Sequence, residues 1–477
     1  MDSVSAAVAL GCLRATSHPL QRAGAWAAAV MAGCERPDQV GVSDLDEVAA
    51  RIVADACRAA VAAKDAPAYD WWKVLFALYP NAKVTHAGRT RDEDVLRAAL
   101  AGMFAPDALD GGTWPCTFCG TDASALWAKS MLPMFDTNKA LNTLPPGVAG
   151  WPVCRGCRVA MWALPYGSWV TAGSATVLSC EREGAERQFA ERNVQRARRI
   201  MHAGFTGLAA GARPELVVLR ALRGVGPELC ATTLWSFKND NQDPWLRVTR
   251  TRRAIPRFLA MVEGNAPLRR GWRLLELALT QRDKSGKVAA HGAAEAARLL
   301  FEAEDGRSRS VLRQVNYLLR EAEGTWSPRD LSDLARLAFT YAEEILGMDV
   351  DLMPVATVIA DWIEHGSGSP RGRLAEYRSV ALSDYKLGLL LVQAHGRLWF
   401  DGRPPQAGPE DWKPLLQQRS RAWEQRMLLF ASVSKLLVER GVAVNEKPVD
   451  AQERERTERL VELPVLALDD DDEMGAA

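Results

Sequence analysis

Cys116-Thr117-Phe118-Cys119-Gly120, answered further on by Cys154-Arg155-Gly156-Cys157, is the part of the chain on which the rest depends. Two residues between a pair of thiolates let a tight turn aim both sulfurs at one ion, and glycine at or just after the turn accepts positive φ. Two such knuckles supply four soft ligands, so Cys116, Cys119, Cys154 and Cys157 are expected to hold one structural Zn²⁺ in a zinc ribbon. The 34 residues between Cys119 and Cys154 exceed the usual spacing of roughly 15 to 20, which implies an insertion between the knuckles. Four thiolates close the coordination sphere and leave no position for a substrate or an activated water, so this zinc is expected to hold a fold. A redox role is disfavoured, because one pair would suffice and neither pair reads as the opening of a helix in a βαβ unit. The other five cysteines, Cys12, Cys34, Cys57, Cys180 and Cys230, stand singly. That usage suits a reducing cytoplasm rather than a disulfide scaffold.

Around the knuckles, over residues 111–169, glycine and proline are frequent and helical periodicity fades. Turn-rich sequence of this kind needs another source of stability, which the metal would supply. Upstream the chain reads as helical. Ser43-Asp44-Leu45-Asp46 looks like a capping-box variant ahead of the stripe Val48, Ile52, Val53, Ala56, Cys57, Ala60 and Val61, and residues 91–104 repeat the idea. Downstream, residues 215–219, 232–237 and 245–249 read as strands, and the turn formers of 239–244 make the last two a hairpin. After residue 289 the pattern is helical to about residue 462. Ser327-Pro328-Arg329-Asp330 starts one helix there, and a further helix is expected to run from Trp412 to Val438. Asp469 to Glu473 reads as a solvated tail.

The expected fold class is therefore α+β and predominantly helical. An N-terminal helical region (1–112) precedes a zinc-ribbon insertion (113–178) and a mixed α/β segment with a basic hairpin (179–280). A C-terminal helical bundle (281–465) and an acidic disordered tail (466–477) complete the chain.

The 477 residues allow roughly three domains. Lys plus Arg (59) equals Asp plus Glu (59), so no global basic excess points to nucleic acid, and 48% hydrophobic with 25% charged residues is ordinary for a globular protein. No apolar run reaches the length of a membrane span, and no basic region precedes the short apolar run at 6–13, so a cytoplasmic location is expected.

Local charge is less even. Between Lys238 and Arg273 nine basic residues (Lys238, Arg247, Arg250, Arg252, Arg253, Arg257, Arg269, Arg270 and Arg273) face only Asp240, Asp243 and Glu263. Arg247 and Thr249 alternate with Leu246 and Val248, which predicts a polar face opposite the core. Beside Asn239, Asn241 and Gln242 such a face suits phosphate and base-edge contacts. A surface paired with carboxylates from elsewhere is the alternative. The six histidines are isolated, and no phosphate-binding loop or nucleophile elbow occurs, which leans towards a binding protein.

Taken in order, these stretches resemble the large subunit of the type I-B CRISPR surveillance complex (Cascade), in its zinc-finger-bearing branch. Ser17-His18-Pro19-Leu20 with Ala23-Gly24 is similar to that family's opening T-G-x-P…A-G, with serine and histidine replacing threonine and glycine. Residues 71–81 (WWKVLFALYPN) resemble its apolar F-P-N stretch, with tyrosine for phenylalanine. The first knuckle, Phe135, Asn142, Gly150 and the second knuckle follow. Trp235-Ser236-Phe237-Lys238-Asn239 with Gln242, Pro244 and Ile255-Pro256 looks like the family's F-x-N-x-x-Q-x-P…P hairpin. The likeness spans residues 15 to 260, and the helical remainder matches only in character.

The resemblance implies a subunit without a nuclease site of its own. It would bind guide RNA and target DNA, recognise the target-adjacent motif and support R-loop opening. Its partners would be the backbone, guide-processing and small subunits, with a helicase-nuclease or transposition adaptor acting in trans and no membrane. Contacts are expected from Lys238, Asn239, Asn241, Gln242, Arg247, Arg250, Arg252 and Arg253 in the hairpin region, and from Lys129, Lys139 and Asn142 in the insertion. The C-terminal bundle resembles the small subunit in role, and Met348 or Met353 could start such a piece separately. Two other readings stay open: a zinc-ribbon defence nuclease, and a helical zinc adaptor that binds only proteins.

Overall fold

Four helices open the chain: α1 (Pro19–Ala32), α2 (Val42–Val61), α3 (Ala68–Leu78) and α4 (Glu93–Met103). The computed structural model describes residues 12–108, 113–133, 150–208, 213–239, 243–303, 310–321, 326–417, 421–442, 455, 458 and 459. α1 carries proline at its start and is stopped by Gly33 in the left-handed region at φ 74°. α2 begins two residues earlier than the Ser43 cap predicts. The Gly41 N–H donates to the Asp44 carboxylate at 2.9 Å, which places Ser43 inside the first turn. Asp92 caps α4 by accepting from the Asp94 and Val95 amides.

Two short antiparallel pairs follow, β1 (Trp114–Pro115) with β2 (Asp122–Ala123) and β3 (Leu126–Trp127) with β4 (Trp151–Pro152). Next comes α5 (Arg155–Gly167), which corrects the expectation that helical character is lost through residue 169. Twelve of its thirteen residues are buried, Arg158 among them. A helix enclosed on every side has no polar face, so its sequence carries no amphipathic stripe. α5 meets α1 at backbone distance: a Cβ on Gly24 would stand 1.8 Å from the Ala160 carbonyl oxygen, and one on Gly167 2.4 Å from that of Ala23.

The chain then lays down β5 (Trp169–Val170) and β6 (Ala175–Cys180), crosses through α6 (Glu183–Ala203) and α7 (Pro214–Gly224), and returns as β7 (Thr232–Lys238) and β8 (Trp245–Thr251). β7 and β8 pair as the expected hairpin. The strand expected at 215–219 is instead the body of α7. Pro214 starts it, and Leu216 to Leu219 are buried where the helix packs on α6 and α8 (Ile255–Gly264). Tertiary packing here overrides the local β preference of two adjacent valines.

α9 (Ala266–Leu279), the pair β9 (Gln281–Arg282) and β10 (Val288–Ala290), and α10 (Gly292–Arg298) lead to β11 (Phe301–Ala303). β11 is an exception to the all-helical expectation after residue 289. It adds a fifth strand, giving an antiparallel sheet of order β11-β8-β7-β6-β5.

The remainder is helical among the described residues: α11 (Val311–Arg320), α12 (Pro328–Glu344), α13 (Met353–His365), α14 (Pro370–Val380), α15 (Asp384–Phe400), α16 (Pro409–Leu416) and α17 (Ala422–Glu439). Ser327 caps α12 as its sequence predicts, accepting from the Asp330 amide at 3.2 Å while its own amide donates back to the Asp330 carboxylate at 2.8 Å. The single helix expected from Trp412 to Val438 is two, α16 and α17, separated before Arg421, whose φ is 73°. The acidic tail lies outside the described residues. Among those described, no helix is long and apolar enough to cross a membrane.

The five-stranded sheet divides the interior. On β6, Ala175 and Val177 join a core built on α1 to α5, while Leu178 and Cys180 join a larger core built on α7 to α17. β7 does the same, sending Phe237 to the first and Leu234 to the second. Alternation along a strand puts neighbours on opposite faces, so both faces of this sheet are covered. The boundary expected after residue 178 falls inside β6.

Candidate metal centre and hairpin face

Local backbone geometry brings the two cysteine pairs together. In the β1–β2 hairpin the Cys116 amide donates to the Thr121 carbonyl at 2.8 Å and the Gly120 amide to that of Cys116 at 2.9 Å. Gly120 sits at φ 74°, as a knuckle glycine requires. The Thr117 amide donates to the Pro152 carbonyl at 2.9 Å, which stitches the first knuckle to the strand that leads into the second. Cys154 is the residue before α5, and Cys157 lies in its first turn.

The four sulfurs all lie within 4.8 Å of one another, and Cys119 Sγ and Cys154 Sγ are 3.5 Å apart. A tetrahedral ion with ligand bonds of about 2.3 Å sets its sulfurs about 3.8 Å apart, so the group can hold one metal ion. Cys116, Cys154 and Cys157 are buried and Cys119 is partly so. Hydrogen bonding among the sulfurs, that with Cys116 first, together with burial, holds the Cys157 thiol far above its ordinary value. The same shared bonds hold the Cys116 and Cys119 thiols below theirs, so the set already carries part of its negative charge and a cation would displace the protons that remain.

The supporting groups come from further away. Gln21 Nε2 points at Cys157 Sγ from 3.6 Å, and the His18 ring meets that of Phe118, inside the first knuckle, in a T-shaped contact. Asp107 accepts from the Arg155 amide at 2.7 Å, from the Ser124 amide and hydroxyl, and from Arg158 Nη2 at 2.9 Å. Arg158 is buried and also donates to the Met103 and Ala105 carbonyls. One carboxylate thus fixes the start of α5 against both neighbouring segments. Gln21, Asp107 and Arg158 were not singled out by sequence, because nothing near them in the chain marks their partners. The second cysteine pair opens α5, but β4 before that helix pairs with β3 and β5 after it pairs with β6, in separate antiparallel sheets, so no βαβ unit is opened by the pair. The convergence of Cys116 and Cys119 on it is what argues against an isolated redox dithiol.

The basic run resolves differently. Arg252 Nε donates to Glu302 at 2.7 Å and its Nη1 to the Ile345 carbonyl, and Arg253 pairs with Glu181 at 3.2 Å. Lys238 faces Asp243 at 3.7 Å, and Arg257 pairs with Glu344. Arg269 donates to the Glu263 carbonyl, and Arg273 pairs with Glu276. Buried Arg270 binds Asp330 at 2.6 Å together with Asp333 and Glu458. Asn239 is buried and donates to the Leu78 carbonyl at 3.0 Å, so it anchors β7 to α3. Thr249 is buried as well, which corrects the polar face expected for it with Arg247.

Arg247 and Arg250 are exposed, but an odd and an even position of one strand lie on opposite faces. Arg250 lies opposite Glu302 in the β11–β8 register. Lys139, Asn142, Asn241 and Gln242 lie outside the described residues, and Lys129 begins a one-turn helix (Lys129–Met131).

What charge counting missed is the far end of the hairpin. Among the described residues β11 pairs with β8 only at Thr249 to Thr251, and towards Trp245 the strand pairs with β7. Trp245 (41% exposed), Leu246 (53% exposed) and Arg247 all meet solvent there. The available signal was two apolar residues in succession next to a polar loop, where strict alternation would have buried one. No family model, curated protein or solved structure matches the chain.

Proposed function

We propose that the chain is a nucleic-acid-binding scaffold, the large subunit of an RNA-guided surveillance complex of the type I-B CRISPR kind, with a structural Zn²⁺ on Cys116, Cys119, Cys154 and Cys157 and no cutting chemistry of its own. In this reading it works in the cytoplasm with guide RNA, target DNA and the other subunits, and a helicase-nuclease or transposition adaptor acts in trans. The observation that carries the reading is the end of the hairpin, where Trp245 and Leu246 are exposed beside Arg247. An aromatic ring stacks on any base, an apolar side chain can wedge into a base step, and arginine meets phosphate. Those are the properties needed where a duplex is opened beside a short recognised motif.

The closed set of four sulfurs supports bracing over turnover, since zinc so held keeps no open position. A chain begun at Met348, buried behind α12, or at Met353, the first residue of α13, would carry α13 to α17 as the small-subunit equivalent. The adaptor reading draws on α15, where Tyr385, Leu389, Val392, Trp399 and Phe400 are all exposed on one helix, a surface that suits protein partners.

The test is fluorescence anisotropy of the zinc-loaded chain with guide RNA and with a forked DNA duplex, across a range of salt. Log affinity is expected to fall with log salt, and Trp245→Ala to weaken binding by about 1–3 kcal/mol. Affinity independent of salt and of Trp245, or cleavage of either nucleic acid by the chain alone, overturns the reading.

A further inference from the structure

Two of the five cysteines that stand singly in the sequence meet in space. Cys180 ends β6, and Cys230 lies two residues before Thr232, the β7 residue paired with Cys180 in register. Their sulfurs are 3.3 Å apart. Both are buried, Cys180 to 8% exposure and Cys230 to 1%, in the larger core, whereas the four metal-binding cysteines belong to the other one. The pair sits at the near end of the hairpin. The Cys230 amide donates to the Arg253 carbonyl at 2.9 Å, the Ala231 amide to Glu181 Oε2 at 3.0 Å, and Glu181 also pairs with Arg253.

The segment that brings Cys230 there, residues 225–231, is irregular. It turns at Gly226 (φ 97°) and exposes Glu228 and Leu229. Such a segment, with few backbone hydrogen bonds, opens locally at lower cost than the strands beside it.

We propose that Cys180 and Cys230 form a reversible disulfide that clamps residues 225–231 to the end of β6 when a small-molecule disulfide is the oxidant. One cysteine thiolate attacks the oxidant, forms a mixed disulfide and releases one thiol. The second cysteine then displaces the remaining small thiol. The two cysteine protons end on the two released thiols, the cysteine sulfurs are oxidised and the oxidant is reduced. Cys230, carried on the segment that opens, is uncovered first and so reacts first. A dithiol reductant reverses the bond. The proposal is independent of what the hairpin binds.

The experiment exposes the zinc-loaded full chain to oxidised glutathione, both in native buffer and in mild urea that opens the segment. Free thiols are then alkylated and the chain is mapped by mass spectrometry without reduction. The expected product is a peptide pair linked through Cys180 and Cys230, lighter by two hydrogens, with two glutathiones released and zinc retained. Amide exchange over residues 226–231 should slow at least about tenfold. Cys230→Ser should yield no linked pair, while the decisive reading comes from the parent chain and needs no variant to fold. Absence of the linked pair under both conditions, or oxidation confined to Cys116, Cys119, Cys154 and Cys157 with loss of zinc, overturns the proposal.

Discussion

At the candidate metal centre four side chains of one kind converge from two short segments, while along residues 238–273 nine side chains of one charge disperse. At least six of those nine end on carboxylates: Asp243, Glu181, Glu302, Glu344, the Asp330 cluster and Glu276. The difference is one of electrostatics. Thiols crowd together where a cation can bind the set, whereas like cationic groups repel and most are held by separate acids. The run therefore holds two populations: Arg270 and Arg273, buried in ion pairs that cross-link the fold, and residues such as Arg247 and Arg253 whose side chains meet solvent, where a polyanion can reach them.

The largest effect should come from Cys157→Ser. It should take zinc from about one per chain to none and destabilise the first core by about 3 kcal/mol or more, read by metal analysis and thermal unfolding. A variant that keeps both its metal and its Tm would put the sulfurs in the same class as the dispersed arginines. Next is Arg270→Met, which leaves buried Asp330 without its cation and Asp333 with only Arg329 at 4.0 Å. We expect a loss of about 3 kcal/mol in urea unfolding, with nucleic-acid affinity of the folded protein unchanged. Arg247→Ala should do the reverse, leaving stability within about 0.5 kcal/mol and lowering the salt slope of binding by about 0.9. Equal behaviour of the two arginine variants would merge the two populations into one.

The smallest effect concerns pH. Partial desolvation lowers the pKa of His18, an exposed residue whose ring packs on Phe118 and whose Nδ1 accepts from the Gln21 amide at the start of α1. The unfolded chain then binds a proton more readily than the folded one, so stability is full above the ordinary histidine range and falls as pH drops below it. Thermal unfolding between neutral and mildly acidic pH should show this slope, and His18→Gln should flatten it.

What could be read from the sequence was whatever its own neighbourhood dictates. The knuckle spacing, the Ser327 cap and the β7–β8 hairpin each depend on residues within a few positions, and each has its counterpart in the fold. What could not be read depends on distance. Asn239 looks like a surface amide until Leu78 is seen to accept its hydrogen bond. Glu181 and Glu302 lie dozens of residues from the arginines they hold. α5 is concealed for a related reason: burial on all sides removes the polar stripe that marks a helix. Cys180 and Cys230 become a pair only through the β6–β7 register.

The sheet that serves two interiors also sets a schedule for synthesis. The first core is complete only when Phe237 arrives on β7, although most of its other residues precede Val177. At about 5–20 residues per second the ribosome needs several seconds to cover that interval. Throughout it the nascent amino-terminal half presents an unfinished apolar wall, which is the moment at which a chaperone would find it.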